Sequence, residues 1–377
     1  MPANLPAEAK SKWKRVMEAR TPEEKLAALQ EFLSAVPKHK GTERLRMQVT
    51  RQIAALRREI EERRKRRAGG GEQFFVEKEG DVQVVLIGSL GSGKTSLFRC
   101  LTGVSKPSQD RPVPGMVSWL GVYFQLVDTP GFLGFTDPGR LMALARNADA
   151  LIVTLDSTAN AEEQLAGMLR LLEENRISVK RPKAIVEIER RASGGVTVVG
   201  DLEGATVQDV VALLREYNVY HAVVRIQGRA TLDDVEDAIF GSYVYRPTVA
   251  VLTKVDLAPN DHVKALKERL SNYGVPVYEF SAQRCRELRF DEIATYIFRE
   301  LDLIRVYTRN PKTGNVEKRP VVVKRGAKVA DVAKIIHSYL YENFRYAKVW
   351  RESFPFSPQR VGKDFVLEDG DIVEIVA

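Results

Sequence analysis

The chain has 377 residues, of which 44% are hydrophobic and 29% are charged, and this composition predicts a globular protein of two to four domains. No apolar run approaches the roughly 18 residues that span a bilayer, and the N-terminus lacks a signal-type apolar core, so we expect a cytoplasmic protein with no membrane partner. Cys100 and Cys285 are far apart in sequence and lack metal-ligand spacing, so we expect two reduced thiols, with neither a disulfide nor zinc.

The positive charge of the chain is concentrated in one segment. The net charge is +8, and residues 38–67 alone carry 12 Lys or Arg against 4 Asp or Glu, so the remainder is close to neutral. A localised basic element on an otherwise balanced protein predicts a polyanionic partner.

Residues 1–71 are predicted to form this basic helical region. Helices are expected at about residues 6–20, from Pro22 onward and at about 42–67. The third helix has one apolar face, formed by Leu45, Val49, Ile53, Leu56 and Ile60. Its last turns lack such a face and consist of Arg63, Arg64, Lys65, Arg66 and Arg67. These cations form either an arm for RNA phosphates or a solvated helix end suited to the negative end of the helix dipole.

The segment from Gly88 to Thr95 fits the phosphate-loop pattern GxxxxGK[ST] without a substitution. It follows a predicted buried strand at residues 81–87 and precedes a predicted helix, which is the context that the pattern requires. Backbone amides would surround a β-phosphate, Lys94 would reach the β- and γ-phosphates, and the Thr95 hydroxyl would bind Mg²⁺. The predicted nucleotide-binding residues here are Gly88, Ser89, Leu90, Gly91, Ser92, Gly93, Lys94, Thr95 and Ser96.

A DxxG motif ends the predicted strand at residues 122–127. In nucleotide switches this motif places a carboxylate near Mg²⁺ and a glycine amide near the γ-phosphate, which predicts Asp128 as a metal ligand beside Thr95. The predicted catalytic residues are Lys94, Thr95 and Gly131. The predicted nucleotide-binding residues of this segment are Asp128, Thr129, Pro130, Gly131 and Phe132. Residues 104–114 and 132–139 are the predicted switch segments.

Two further motifs predict recognition of guanine. Thr253-Lys254-Val255-Asp256 ends a predicted strand at residues 248–252, and an Asp there would accept hydrogen bonds from guanine N1–H and its exocyclic amine. Lys254 would lay its methylenes along the base, and an amide of Ser281-Ala282 would bond the guanine carbonyl. The predicted base-binding residues are Thr253, Lys254, Val255, Asp256, Ser281 and Ala282.

The order of predicted elements divides the chain into four parts. After the basic helical region, a nucleotide domain covers residues 80–176 and resumes at 246–301. An α+β module at 177–245 interrupts it, and a ββαββ pattern at 302–377 predicts a separate β-grasp-like domain.

This combination resembles the developmentally regulated GTP-binding proteins, which belong to the Obg-related GTPases. Residues 345–350, 359–362 and 366–373 are similar to the TGS domain of that family, and the module at 177–245 is similar to its ribosomal-S5-domain-2-like module. The resemblance implies a P-loop GTPase domain of the α/β class with a mostly parallel sheet. It also implies hydrolysis of GTP to GDP with Mg²⁺, association with ribosomes or RNA, and a cytoplasmic role in translation, with a protein activator or stabilising partner possible. We expect a monomer in solution.

Three departures from the family pattern affect hydrolysis. The segment between Gly103 and Val113 is short and contains no Thr to close over Mg²⁺, only Ser105 and Ser108. Gly91 stands where potassium-stimulated relatives have Asn, and Phe132 replaces a water-orienting Gln. These departures predict slow intrinsic hydrolysis.

Two other functions remain open on the sequence. The phosphate loop also occurs in ATPases and small-molecule kinases, in which case ATP would compete as well as GTP. The short switch segment fits a ribosome- or RNA-binding scaffold that holds nucleotide without hydrolysing it.

Overall fold

A computed structural model describes residues 6–19, 22–37, 42–68, 74–105, 111–131, 138–241, 243–311 and 313–377. The chain divides into two compact units. The first comprises residues 1–74, 136–146 and 166–246, and the second comprises residues 75–135, 147–165 and 247–377. Among the described helices, none is long and apolar enough to cross a membrane.

The helices and strands of the described chain have the following bounds. The helices of the described chain are α1 (Ala7–Glu18), α2 (Pro22–Ala35), α3 (Glu43–Ala68), α4 (Lys94–Thr102), α5 (Pro138–Asn147), α6 (Ala161–Glu174), α7 (Val207–Glu216), α8 (Leu232–Ile239), α9 (Asn260–Ser271), α10 (Phe290–Glu300), α11 (Val329–Ile336) and α12 (Ser338–Glu342). The strands are β1 (Val82–Gly88), β2 (Val113–Trp119), β3 (Val122–Asp128), β4 (Ala150–Asp156), β5 (Ile177–Ser178), β6 (Ala184–Arg190), β7 (Val196–Leu202), β8 (Ala222–Ala230), β9 (Val244–Tyr245), β10 (Thr248–Thr253), β11 (Val277–Glu279), β12 (Leu303–Thr308), β13 (Val321–Lys324), β14 (Tyr346–Trp350), β15 (Gln359–Val361) and β16 (Ile372–Val376).

The first unit joins the N-terminal helices to the α+β module. Strands β6, β8 and β7 form a three-stranded sheet, and α7 and α8 each begin with a capping box at a threonine. From the predicted apolar face of α3, Leu45, Val49 and Ile53 are buried in one core with α1, α2, α7 and α8, and Leu56 packs against this core half-buried. Trp13 on α1 packs against Tyr217, whose carbonyl accepts a hydrogen bond of 2.7 Å from the indole N–H. The basic helical region is therefore anchored on the module.

The second unit contains a six-stranded sheet in the order β11-β10-β4-β1-β3-β2. Five of these strands are parallel, and β2 alone runs antiparallel to its neighbour β3. Every residue of β1 and β10 is buried, as expected for central strands of a parallel sheet covered on both faces. The carboxyl ends of β1, β3, β4 and β10 therefore meet at one edge, where open α/β sheets bind ligands.

The C-terminal residues of the second unit form a five-stranded sheet in the order β13-β12-β16-β14-β15. Helix α11 packs on it and buries Val329, Val332 and Ala333. The segment before β13 contacts the six-stranded sheet. The guanidinium of Arg319 lies 3.2 Å from a carboxylate oxygen of Asp81, which precedes β1, and 4.7 Å from the ring centroid of Tyr123 in β3.

Two local differences from the predicted elements have physical causes. The predicted switch segment at residues 104–114 overlaps a strand, because β2 begins at Val113 and includes Pro114 and Gly115. An edge strand tolerates proline because one side of its backbone needs no partner in the sheet. The single helix of the predicted ββαββ pattern is two helices, α11 and α12, because His337 is extended, with φ −169° and ψ 135°, and its Nδ1 accepts a hydrogen bond from the Tyr339 amide.

The expectation of two separate reduced thiols is wrong, because the structure joins Cys100 and Cys285 in a disulfide. Cys100 lies in α4, and Cys285 begins a short 3-10 turn, Cys285–Glu287, that packs beside that helix. The two cysteines are 185 residues apart in the chain, and the fold brings them together.

Candidate nucleotide-binding site

The phosphate-loop segment lies between the buried strand β1 and helix α4, as its pattern predicts. Gly93 precedes the helix with φ 84°, a left-handed conformation that glycine adopts without strain. A side chain at Gly93 would also place its Cβ 3.0 Å from the Thr253 side chain. The glycine therefore permits both the turn into the helix and the close approach of the base-recognition segment, which comprises the predicted base-binding residues Thr253–Asp256. Amides at the start of α4 form a positive helix end suited to phosphate.

Lys94 is buried at the start of α4, with 5% of its surface exposed. Its Nζ donates hydrogen bonds to the carbonyl oxygens of Gly88 and Ser89, at 3.0 Å and 2.9 Å. Burial lowers the pKa of Lys94 to about 8, and the nearby Asp128 carboxylate opposes this shift. The ammonium is thus held inside the loop, where phosphate oxygens would be strong partners for it.

Thr95 and Asp128 contact each other directly. The Thr95 hydroxyl donates a 2.8 Å hydrogen bond to Oδ2 of Asp128, which is the last residue of β3 and is fully buried. A hydroxyl and a carboxylate are the hard oxygen ligands that Mg²⁺ accepts, and this ion usually keeps water and phosphate oxygens as its other ligands. Thr95 and Asp128 are therefore suited to supply two protein ligands to a Mg²⁺ ion whose other ligands are water and phosphate. Within the described part of the chain, no cluster of three or more His, Cys, Asp or Glu side chains forms an alternative metal site.

The rest of the DxxG motif is packed against the phosphate loop. The Thr129 hydroxyl donates to the Leu86 carbonyl at 2.5 Å, and Pro130 is buried. A side chain at Gly131 would bring its Cβ within 2.6 Å of the Leu90 Cα, so only glycine fits this approach without a shift of the backbone. Gly131 therefore lies directly beside the loop.

The base-recognition segment is tied to the phosphate loop by Thr253. Its hydroxyl lies 2.9 Å from the Ser92 carbonyl oxygen and 3.0 Å from that of Leu155. Thr253 ends β10, and Asp256 follows within a 3-10 turn, Val255–Leu257. The predicted motifs for phosphate and base, 161 residues apart in the chain, are thus in direct contact.

The other predicted base-binding residues lie at the same edge of the sheet. Val255 is buried and supports the turn, whereas Asp256 is half-buried. Ser281 follows strand β11, with a buried hydroxyl that has no hydrogen-bond partner among the described residues, and Ala282 is exposed. Leu90 and Gly91 of the phosphate loop and Ser96 of α4 are also exposed.

Two residues at this edge were not singled out from the sequence. The Thr154 hydroxyl lies 2.7 Å from the Ser92 hydroxyl and supports the phosphate loop from β4. Asp156, the last residue of β4, forms an ion pair with Lys254. A polar residue at the end of an apolar strand was the available signal for Asp156.

Some predicted residues lie outside the described structure. Phe132 and the remainder of residues 132–137 are among them, as are residues 106–110 of the first switch segment. The backbone of α3 is helical through Ala68, but the side chains of the basic cluster Arg63, Arg64, Lys65, Arg66 and Arg67 are not described.

Three protein-family profiles match consecutive parts of the chain. The profile described as 50S ribosome-binding GTPase matches residues 83–187, and that described as the C-terminal region of the same domain matches residues 193–303. The TGS domain profile matches residues 304–377.

Relatives match nearly the full length of the chain. An uncharacterised GTP-binding protein of Halobacterium salinarum is 30% identical over 94% of this chain and 99% of its own length. The developmentally-regulated GTP-binding protein 1 homolog of Dictyostelium discoideum is 30% identical over 81% of this chain and 85% of its own. The human developmentally-regulated GTP-binding protein 2 is 27% identical, with coverages of 94% and 98%.

Proposed function

The chain belongs to the developmentally regulated GTP-binding proteins, a family of P-loop GTPases with a C-terminal TGS domain, and on this premise we propose that it hydrolyses GTP to GDP and phosphate as a switch. The observation that carries this proposal is the hydrogen bond from Thr253 to Ser92, which joins the base motif to the phosphate loop. The GTPase domain would comprise residues 80–176 and 246–301, interrupted by the module at 177–245.

Different described residues would hold the phosphates, the metal ion and the base of the nucleotide. The amides around Gly93 and the Lys94 ammonium would hold the β- and γ-phosphates, and Asp256 would bind the guanine edge. Thr95 and Asp128 would hold Mg²⁺, which when bound would offset the negative charge that develops on the phosphate oxygens. The support for this metal site is the 2.8 Å contact between its two oxygen ligands.

Hydrolysis requires a water molecule in line with the γ-phosphate. The Gly131 amide, held against the phosphate loop, would bond a γ-phosphate oxygen and so order the segment that follows it. Phe132 has no side-chain group that can orient the attacking water. The chain itself would therefore contribute to hydrolysis only by positioning the phosphates and by stabilising the charge that develops on them. Loss of the γ-phosphate would break the bond to the Gly131 amide and release that segment.

We expect purified protein to hydrolyse GTP in a single turnover more slowly than about 1 s⁻¹, the low end of ordinary enzyme turnover. The physical reason is the absence of a water-orienting side chain at position 132. Phosphate release is measured with protein in excess over GTP, with and without ribosomes. Thr95→Ala, which removes a Mg²⁺ ligand, serves as the inactive control. A faster rate from the protein alone contradicts the expectation, and no release even with ribosomes supports the scaffold function instead.

We further propose that the protein engages RNA, on the ribosome or free, as part of translation. The support is the concentration of charge in the sequence of α3, where Arg63–Arg67 come after the residues of the helix that share a core with the module. Such a helix end presents several cations to a phosphate backbone without requiring base contacts.

Replacing the five residues of the basic cluster by glutamine is expected to weaken RNA binding and its dependence on salt. Removing one ion pair with a phosphate reduces the slope of log K against log salt by about 0.7 to 0.9, so the full change approaches about 4. Binding to a labelled RNA is titrated at several salt concentrations. The control, Lys264→Gln with Lys267→Gln, removes two exposed cations of α9. An unchanged slope in the five-residue variant contradicts the proposed arm.

A further inference from the structure

A carboxylate at the end of β4 contacts the lysine of the base-recognition segment. Asp156 is the last residue of β4, and it lies opposite Thr253 in the register of β4 with β10. Lys254 follows Thr253, and its Nζ donates a hydrogen bond to Oδ2 of Asp156. The two side chains thus meet at the edge of the sheet that carries the phosphate and base motifs, although 98 residues separate them in the chain.

Asp156 is held in place by groups other than the lysine. Its Oδ1 accepts hydrogen bonds from the Thr158 amide at 2.9 Å and the Thr158 hydroxyl at 2.7 Å. Its own amide donates to Oε1 of Gln164 at 3.0 Å. Burial acts to raise the pKa of Asp156, but the hydrogen bonds from Lys254 and Thr158 outweigh it and lower the pKa. The carboxylate is therefore an ionised acceptor with a fixed orientation.

Lys254 is restrained at both of its ends. Its backbone adopts a left-handed conformation with φ 57°, and its carbonyl accepts the Leu257 amide at 2.9 Å as the 3-10 turn begins. Asp156 holds the ammonium at the other end. A lysine stem that is fixed at both ends has few rotamers left to lose when a ring packs on it, so the entropic cost of that contact falls.

We propose that Asp156 is a positioning residue for guanine-nucleotide binding, which acts by holding the Lys254 stem where the purine ring packs. The inference rests on the proposed function, because it assumes that Lys254 covers the base. Asp156 affects the nucleotide only through this lysine, and it takes no part in distinguishing guanine from other purines. That task belongs to Asp256 in the adjoining turn.

Asp156→Asn tests this role with little change to the local structure. The amide oxygen still accepts the two bonds from Thr158, while the charge that holds Lys254 is lost. We expect GDP affinity to fall about tenfold, the scale of one hydrogen bond to a charged group. The affinity for inosine diphosphate should fall by the same factor, because the stem packs on either purine. Competition against a fluorescent guanine nucleotide measures both affinities, and thermal unfolding checks that the variant is folded.

A double-mutant cycle separates positioning from a general effect on stability. Lys254→Met keeps an apolar stem without the ammonium, so adding Asp156→Asn to it should change GDP affinity by less than about twofold. Glu162→Gln is the matched control, since it removes a 3.7 Å ion pair with Arg269 in the same unit and should leave GDP affinity unchanged. Either full GDP affinity in Asp156→Asn or the same tenfold loss on the Lys254→Met background overturns the proposal. A wild-type protein that does not bind GDP overturns the proposed function as well, so the two failures are distinguishable.

Discussion

Replacing Asp256 by asparagine is expected to shift the base preference of the protein from guanine to xanthine. The wild-type carboxylate would accept hydrogen bonds from guanine N1–H and the exocyclic amine, whereas an asparagine amide donates where xanthine carries its second carbonyl. Two bonds to a charged group contribute about 1.5–3 kcal/mol each, so GDP affinity should fall by about 10² to 10⁴-fold. Competition titrations with GDP, xanthosine diphosphate and ADP measure the change.

Asp261→Asn is the matched control for this substitution. Asp261 lies five residues further along, in the exposed first turn of α9, and its loss should leave all three affinities unchanged. The result that contradicts guanine recognition by Asp256 is a loss of GDP affinity without any gain for xanthosine diphosphate. Equal affinities of the wild type for GDP and ADP would contradict it as well and would favour an ATPase or kinase.

The nucleotide motifs could be found from sequence because each is short and contiguous. In the phosphate loop, strand, glycines, lysine and threonine follow one another within Val82–Thr95, so local pattern alone predicted their arrangement. A local pattern marks Asp156 as a polar residue at the end of an apolar strand, but it does not reveal the partner of this side chain. Its contact with Lys254 depends on the register of two strands, which no local pattern specifies.

The packing between distant segments could not be predicted from the sequence either. The apolar face of α3 predicted burial, but the sequence did not indicate that the N-terminal helices and the module share a core. The bond from Trp13 to the Tyr217 carbonyl joins residues 204 apart. The contact between Cys100 and Cys285 was not predicted either, because their large separation along the chain argued against it. Hydrophobic periodicity identifies which face of a helix or strand is buried, but it does not identify the element that packs against that face.

Nucleotide binding above pH 8 is expected to take up a proton at Lys94. Burial lowers the pKa of this lysine to about 8, and phosphate groups beside it would raise the pKa again because they favour the charged form. At pH 8.5 roughly three quarters of the lysine is neutral, so binding of GDP should take up about 0.7 proton, against about 0.1 at pH 7. Because protonation accompanies binding, GDP affinity falls as pH rises through 8.

Calorimetric titrations in buffers of different ionisation enthalpy measure the uptake, and variants assign it to one residue. Lys94→Ala should remove the linked proton and lower GDP affinity by about 10² to 10³-fold, because charged hydrogen bonds to phosphate are removed from a buried position. Lys264→Gln removes an exposed lysine of α9 and should leave both the uptake and the affinity unchanged. A wild-type protein that takes up no proton at pH 8.5 would show that the Lys94 ammonium is already charged before phosphate arrives. In that case its two carbonyl partners, Gly88 and Ser89, offset the cost of burial more fully than the lowered pKa implies.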